Sequence, residues 1–107
     1  MQRPPVARHL RRAHQRLVEV ASAYRLHYLR LSEEYAKAIP LSRRRRRLRR
    51  ELHAAKIQWR TAREILEADI ASSLPYATAP QVATRARQQV DAMIARQAAP
   101  IDPRRQR

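Results

Sequence analysis

The sequence predicts an all-α protein: an elongated antiparallel three-helix bundle with two long helices, a shorter third helix and a basic C-terminal tail. Three observations carry this expectation. The 107 residues include no glycine, and β-branched residues are scarce, so little interrupts helix and little favours strand. The seven prolines fall at 4–5, 40, 75, 80, 100 and 103, leaving proline-free stretches of helix length between them. Within those stretches apolar residues recur at steps of three and four.

Pro4 and Pro5 suit the start of the first helix, where a missing N–H costs no hydrogen bond. From there Val6, Leu10, Ala13, Leu17, Val20, Tyr24, Tyr28, Leu31, Tyr35 and Ala38 form one sustained apolar seam. It ends where Pro40 biases Ile39 out of the helical region. A helix of about 35 residues is roughly 50 Å long. Val18, Ser22, Leu26 and Leu29 form a weaker echo off the main seam.

The second helix opens with Ser42 as N-cap and buries Leu48, Leu52, Ala55, Trp59, Ala62, Leu66 and Ile70. It is expected to stop before Ser72, Ser73 and Pro75. The link "AIPLS" is short enough to make the first two helices antiparallel neighbours. Thr78 and Gln81 then form a capping box, with Pro80 in the first turn of a third helix. That helix carries Val82, Ala86, Val90 and Met93, with Gln97 continuing the spacing, and packs across the other two. Residues 1–98 read as one bundle domain, and residues 99–107, with two prolines and three arginines, as a flexible basic tail.

The formal net charge is +15, from 24 Lys and Arg against 9 Asp and Glu. The excess is spread over the whole chain, so the body itself is cationic and attracts polyanions. All but Lys37 and Lys56 of the basic groups are arginine, whose planar fork grips phosphate bidentately and stacks on bases. A genome rich in G and C would also raise Arg and Ala.

Several function classes lose support. Without glycine there is no Gly-rich phosphate cradle or dinucleotide fingerprint. Without cysteine there is neither a disulfide nor a thiolate metal site, which fits a reducing compartment; the expected location is the cytoplasm. No apolar run approaches membrane-span length. The Arg-rich, acid-poor start suits a mitochondrial presequence in composition, but its apolar pattern runs unbroken into the first helix. His9, His14, His27 and His53 never share i, i+4 spacing, and Glu64 and Glu67 have Arg60 and Arg63 four residues before them as ion-pair partners. Ser42, Ser72 and Ser73 suit helix ends. No enzymatic role, metal, cofactor or small-molecule substrate is therefore expected.

The feature that remains is "LSRRRRRLRREL", residues 41–52, with seven arginines in eight positions. On a helical projection Arg43, Arg46, Arg47 and Arg50 gather on the side opposite the seam. Arg44 and Arg45 flank the seam, which predicts that the first two turns project past the core. The same outward edge continues as Ala54, Ile57, Thr61, Ile65 and Ala68. Such a second apolar stripe is either covered by the third helix or forms an interface, with Ile57, Thr61 and Ile65 at its centre. Arg8, Arg11 and Arg12 supply a further basic face. These arginines, Arg44 included, are the candidate nucleic-acid contacts; a solvated face, a nuclear import signal and a membrane-surface helix are the competing readings of the run. The opposing apolar surface that a membrane helix needs is limited to Leu48 within 43–50.

Tyr24, Tyr28, Tyr35 and Trp59 lie on the seams and read as core, which leaves Tyr76 as the aromatic free to stack on a base. No RRM-like aromatic signature, zinc finger or basic zipper occurs, and the first two helices are too long for a helix-turn-helix. Binding is expected to be backbone-directed, with RNA or single-stranded DNA preferred over duplex. In length, long antiparallel helices, exposed arginines and a spare apolar stripe, residues 5–98 resemble the small all-helical subunits of multi-subunit CRISPR effector complexes. The resemblance implies a structural subunit of a nucleoprotein complex that packs beside guide RNA and target strand, with other subunits or further copies of itself as partners. A double-stranded DNA-binding accessory or architectural protein acting as a dimer, and an adaptor for an acidic protein, share these features.

Overall fold

The computed structural model describes residues 5–98, with side chains described for residues 10–97. The expected tail at 99–107, Pro4, and the side chains of Val6 and Arg8 lie outside the described residues. Three helices follow in order: α1 (Pro5–Lys37), α2 (Arg43–Ser73) and α3 (Ala79–Ala98). They pack as an all-α bundle. Its radius of gyration is 17.8 Å, against about 13 Å for a compact domain of 100 residues.

Both expected caps form. The Ser42 hydroxyl accepts the Arg45 N–H at 3.1 Å. Gln81 Oε1 accepts the Thr78 N–H at 2.9 Å while Thr78 Oγ1 accepts the Gln81 N–H at 3.4 Å, which is the reciprocal geometry of a capping box. α2 runs through Ser73 instead of stopping before Ser72. The hydroxyls of Ser72 and Ser73 donate back to the Asp69 carbonyl, and the Leu74 N–H closes onto Ile70 and Ala71, so these serines continue the helix before Pro75.

The link from α1 to α2 is a tight turn in which the Ser42 N–H reaches the Ile39 carbonyl at 3.2 Å. Pro40 stands second in this turn and Leu41 third, with φ of 65°. That is the arrangement of a type II turn, whose third position normally takes glycine. A chain without glycine places leucine there.

Two pairs of residues define the α1–α2 register. Ala38 meets Arg45 beside the turn, and His14 meets Asp69 near the opposite end. Between these pairs α1 recedes by 24 residues and α2 advances by 24, so the helices run antiparallel without a slip.

The core divides into two parts. Val18, Ala21, Trp59, Ala62, Leu66, Ile70, Val82, Ala86, Val90 and Met93 form a three-helix core. Leu31, Ala38, Leu48 and Ala55, with Tyr28, Tyr35 and Leu52 against them, form a smaller one between α1 and α2 alone. The molecule is thus a three-helix body with a two-helix arm. The α2 and α3 seams are buried as the periodicity predicts, with Leu52 half-buried and Gln97 exposed.

The α1 seam holds only in the arm. In the three-helix body the buried positions are Val18, Ala21 and Ser22, while Leu10, Val20 and Tyr24 are exposed. The buried face has turned by about one residue's rotation, about 100°. The cause is α3. Where it packs, α1 must bury a face between two neighbours, and the echo at Val18 and Ser22 becomes core. Small residues at Ala21 and Ser22 permit the close approach, and the buried Ser22 hydroxyl is satisfied by the Val18 carbonyl at 2.7 Å.

Candidate nucleic-acid interface

The arginine run forms the first two turns of α2, at the tip of the arm. Arg43, Arg44, Arg46, Arg47, Arg49 and Arg50 are exposed. Among the described residues none of these six takes part in an ion pair or lies over an aromatic ring. Arg45 behaves differently. Its Nη1 donates to the Ala38 carbonyl at 3.2 Å and its guanidinium lies 4.3 Å from the centre of the Tyr35 ring.

The expected projection of these two turns holds relative to the three-helix core, which takes no α2 residue before Trp59, but the turns are not free of packing. Leu48 is buried against Leu31, Ala38 and Ala55, and Arg45 ties the first turn to the end of α1. The tip is anchored while its outer side stays open to solvent. Exposed apolar side chains at Ile39 and Leu41 border it.

The electrostatics of this end run against helix preference. A helix N-terminus carries partial positive charge and favours acidic side chains, yet the first turn of α2 has none and begins with five consecutive arginines. Ser42 takes up the Arg45 N–H with its hydroxyl and the Arg46 N–H with its carbonyl, so the cap relieves part of this positive end.

The second basic face lies elsewhere. Arg11 and Arg12 are exposed on the N-terminal part of α1, beside the C-terminal end of α2 as the His14–Asp69 pair requires; the Arg8 side chain lies outside the described residues. Roughly 25 residues of α2 separate this face from the middle of the arginine run, about 37 Å. The two sets of candidate residues are thus not one surface. Tyr76, 99% exposed in the α2–α3 link, belongs to the far end with Arg11 and Arg12. Of the seam aromatics, Trp59 is buried between Arg25 and Arg63, whose guanidinium groups lie 5.3 and 5.8 Å from its ring centre. Tyr28 and Tyr35 are half-buried, and Tyr24 is exposed rather than core.

The outer stripe of α2 is not covered by α3. Ile57 and Ile65 are 48% and 51% exposed, and Thr61 lies exposed between them. With Leu17, Val20 and Tyr24 of α1 they line an apolar groove of about 380 Å³ that has no charged lining residue. Periodicity places the α1 wall of this groove in the core, and only the spacing of Val18 and Ser22 hints otherwise.

Sequence reasoning also missed a polar junction. His14 Nδ1 pairs with Asp69 Oδ2 at 2.5 Å, and His14 Nε2 faces Gln89 Oε1 at 3.0 Å, which joins all three helices. A histidine–carboxylate pair supplies two of the three members of a catalytic triad, but here Nε2 meets the amide oxygen of Gln89 instead of a nucleophile. Arg63 and Glu67 form an i, i+4 pair at 3.6 Å. Among the described residues no three His, Cys, Asp or Glu side chains converge as a metal site, and no helix is long and apolar enough to cross a membrane.

No protein-family model matches the chain, and comparison with curated proteins and with solved structures returns no match.

Proposed function

We propose that the chain is a non-enzymatic structural subunit of a nucleoprotein complex, which binds the backbone of RNA or single-stranded DNA through the tip of its α1–α2 arm. The observation that carries this reading is the set of six exposed arginines at the positive end of α2, without an ion-pair partner among the described residues. A local arrangement that opposes helix electrostatics and buries nothing is best accounted for by an anionic ligand. Arg43, Arg46, Arg47 and Arg50 are the principal contacts and Arg44 an accessory one. Arg11 and Arg12, with Arg8, form a separate contact region at the far end, where Tyr76 offers a stacking surface.

A subunit of this shape, basic at both ends and about 60 Å long, suits a position alongside an extended strand, as in the small subunits of CRISPR effector complexes that its form resembles. Contacts to phosphate alone give affinity without base readout. The test is a fluorescence-anisotropy titration of the nuclease-treated protein with single-stranded RNA, single-stranded DNA and duplex DNA of equal length and mixed sequence. Tighter binding of the single strands, with little change on scrambling the sequence, is the expected result. A clear preference for duplex would favour a double-stranded DNA architectural role, and no binding to any of the three would end the proposal.

A further inference from the structure

We infer that the apolar groove between α1 and α2 is a self-association surface, in which a second copy of this chain docks antiparallel to form a four-helix bundle across a two-fold axis. The inference goes beyond nucleic-acid binding and does not depend on it. Its first support is the extent of unpartnered apolar surface. Leu17, Val20 and Tyr24 on one helix face Ile57, Thr61 and Ile65 on the other, and α3 occupies the other side of α1, against Val18. The groove runs from Leu17 to Tyr24 on α1 and from Ile57 to Ile65 on α2, about 10–12 Å along each helix. An exposed apolar patch of that length on a small, highly charged protein marks a contact surface.

Charge argues which partner covers it. The body carries a net charge of +15, so an acidic protein is the obvious partner for most of the surface. The groove lining, by contrast, has no charged side chain with which to meet one. What fits is an equally apolar and uncharged helical face, and the chain carries such a face itself. An antiparallel helix pair is approximately two-fold symmetric about a line through its middle, so two such pairs stack in a self-complementary way.

The arginines then select the orientation. A parallel arrangement would place the two arginine runs side by side. A two-fold axis near Val20 and Thr61 instead places them at opposite ends, about 40 Å apart. That is several times the screening length of about 8 Å at physiological salt. Each run remains open on its own tip, so the dimer would present two separated basic ends.

Light scattering on the nuclease-treated 107-residue chain, over a wide concentration range and at low and high salt, tests the idea. The expected mass is twice 12.6 kDa, with the dimer strengthened by salt as the like charges are screened. Association through nucleic acid would instead weaken with salt, so the two causes are distinguishable. Ile57→Glu with Ile65→Glu should give a monomer whose helical circular dichroism is unchanged. Because the chain has no cysteine, Thr61→Cys gives one thiol beside the axis and Tyr76→Cys a control far from it. Oxidation should link Thr61→Cys copies at least tenfold faster than Tyr76→Cys copies. A monomeric wild type at every concentration and salt, or equal linking rates for the two cysteine variants, overturns the proposal.

Discussion

The guanidinium of Arg45 lies 4.3 Å from the centre of the Tyr35 ring while its Nη1 donates to the Ala38 carbonyl, at the end of α1. One arginine of the run of seven is thus structural. It supplies a cation to the negative end of α1 and covers an aromatic face at the edge of the two-helix core. The others project outward from a tip that this arginine holds in place.

Arg45→Ala is expected to lower stability by about 1–2 kcal/mol, because the variant lacks both the cation over the ring and a charge-assisted hydrogen bond. Arg46→Ala should change stability by no more than about 0.5 kcal/mol, as other surface substitutions do. Thermal denaturation of both variants checks the contrast. Equal melting temperatures would show that Arg45 does not anchor the tip.

Leu41 holds φ at 65° with its side chain 88% exposed, so the turn pays for a left-handed backbone and gains no packing in return. Asparagine tolerates that conformation far better than leucine. Leu41→Asn should therefore raise stability by about 0.5–1 kcal/mol and leave the helical content unchanged, as measured by thermal melting.

Most of this architecture was legible in the residue pattern. The α2 and α3 seams, both caps and the antiparallel link follow from spacing, because each of those helices buries one continuous face. α1 was legible only where it has a single neighbour. Its strongest apolar stripe, through Leu17, Val20 and Tyr24, is half-open in the body, and the buried positions there include Ala21 and Ser22. Periodicity records apolarity, whereas close helix approach needs small side chains, and the two requirements diverge at this point. The fate of Arg45 was also hidden, since its acceptor is a backbone carbonyl that only the folded turn presents. In the same way His14 gave no spacing signal, because its partners lie on two other helices.

The divided core predicts divided stability. Leu66 is fully buried where three helices meet, and Leu66→Ala should cost about 3–5 kcal/mol. Leu48 is buried by α1 and α2 alone, so Leu48→Ala should act more locally and cost about 2–3 kcal/mol. Hydrogen exchange is expected to be faster for the arm, residues 28–37 and 43–55, than for residues 59–70 and 82–93. Uniform protection across the three helices would contradict two cores of unequal strength.

The central claim, that the arginine tip binds nucleic-acid phosphate, is tested most directly by the salt dependence of binding to single-stranded RNA. Wild type is to be compared with the variant carrying Arg43→Ala, Arg46→Ala, Arg47→Ala and Arg50→Ala. Removing one arginine–phosphate pair should reduce the slope of log affinity against log salt by about 0.7, so the four substitutions together should remove up to about 3 units. The weakening should be similar for every sequence, with the helical fold intact. A variant that keeps wild-type affinity and slope would contradict the claim, and the run would then be solvated surface.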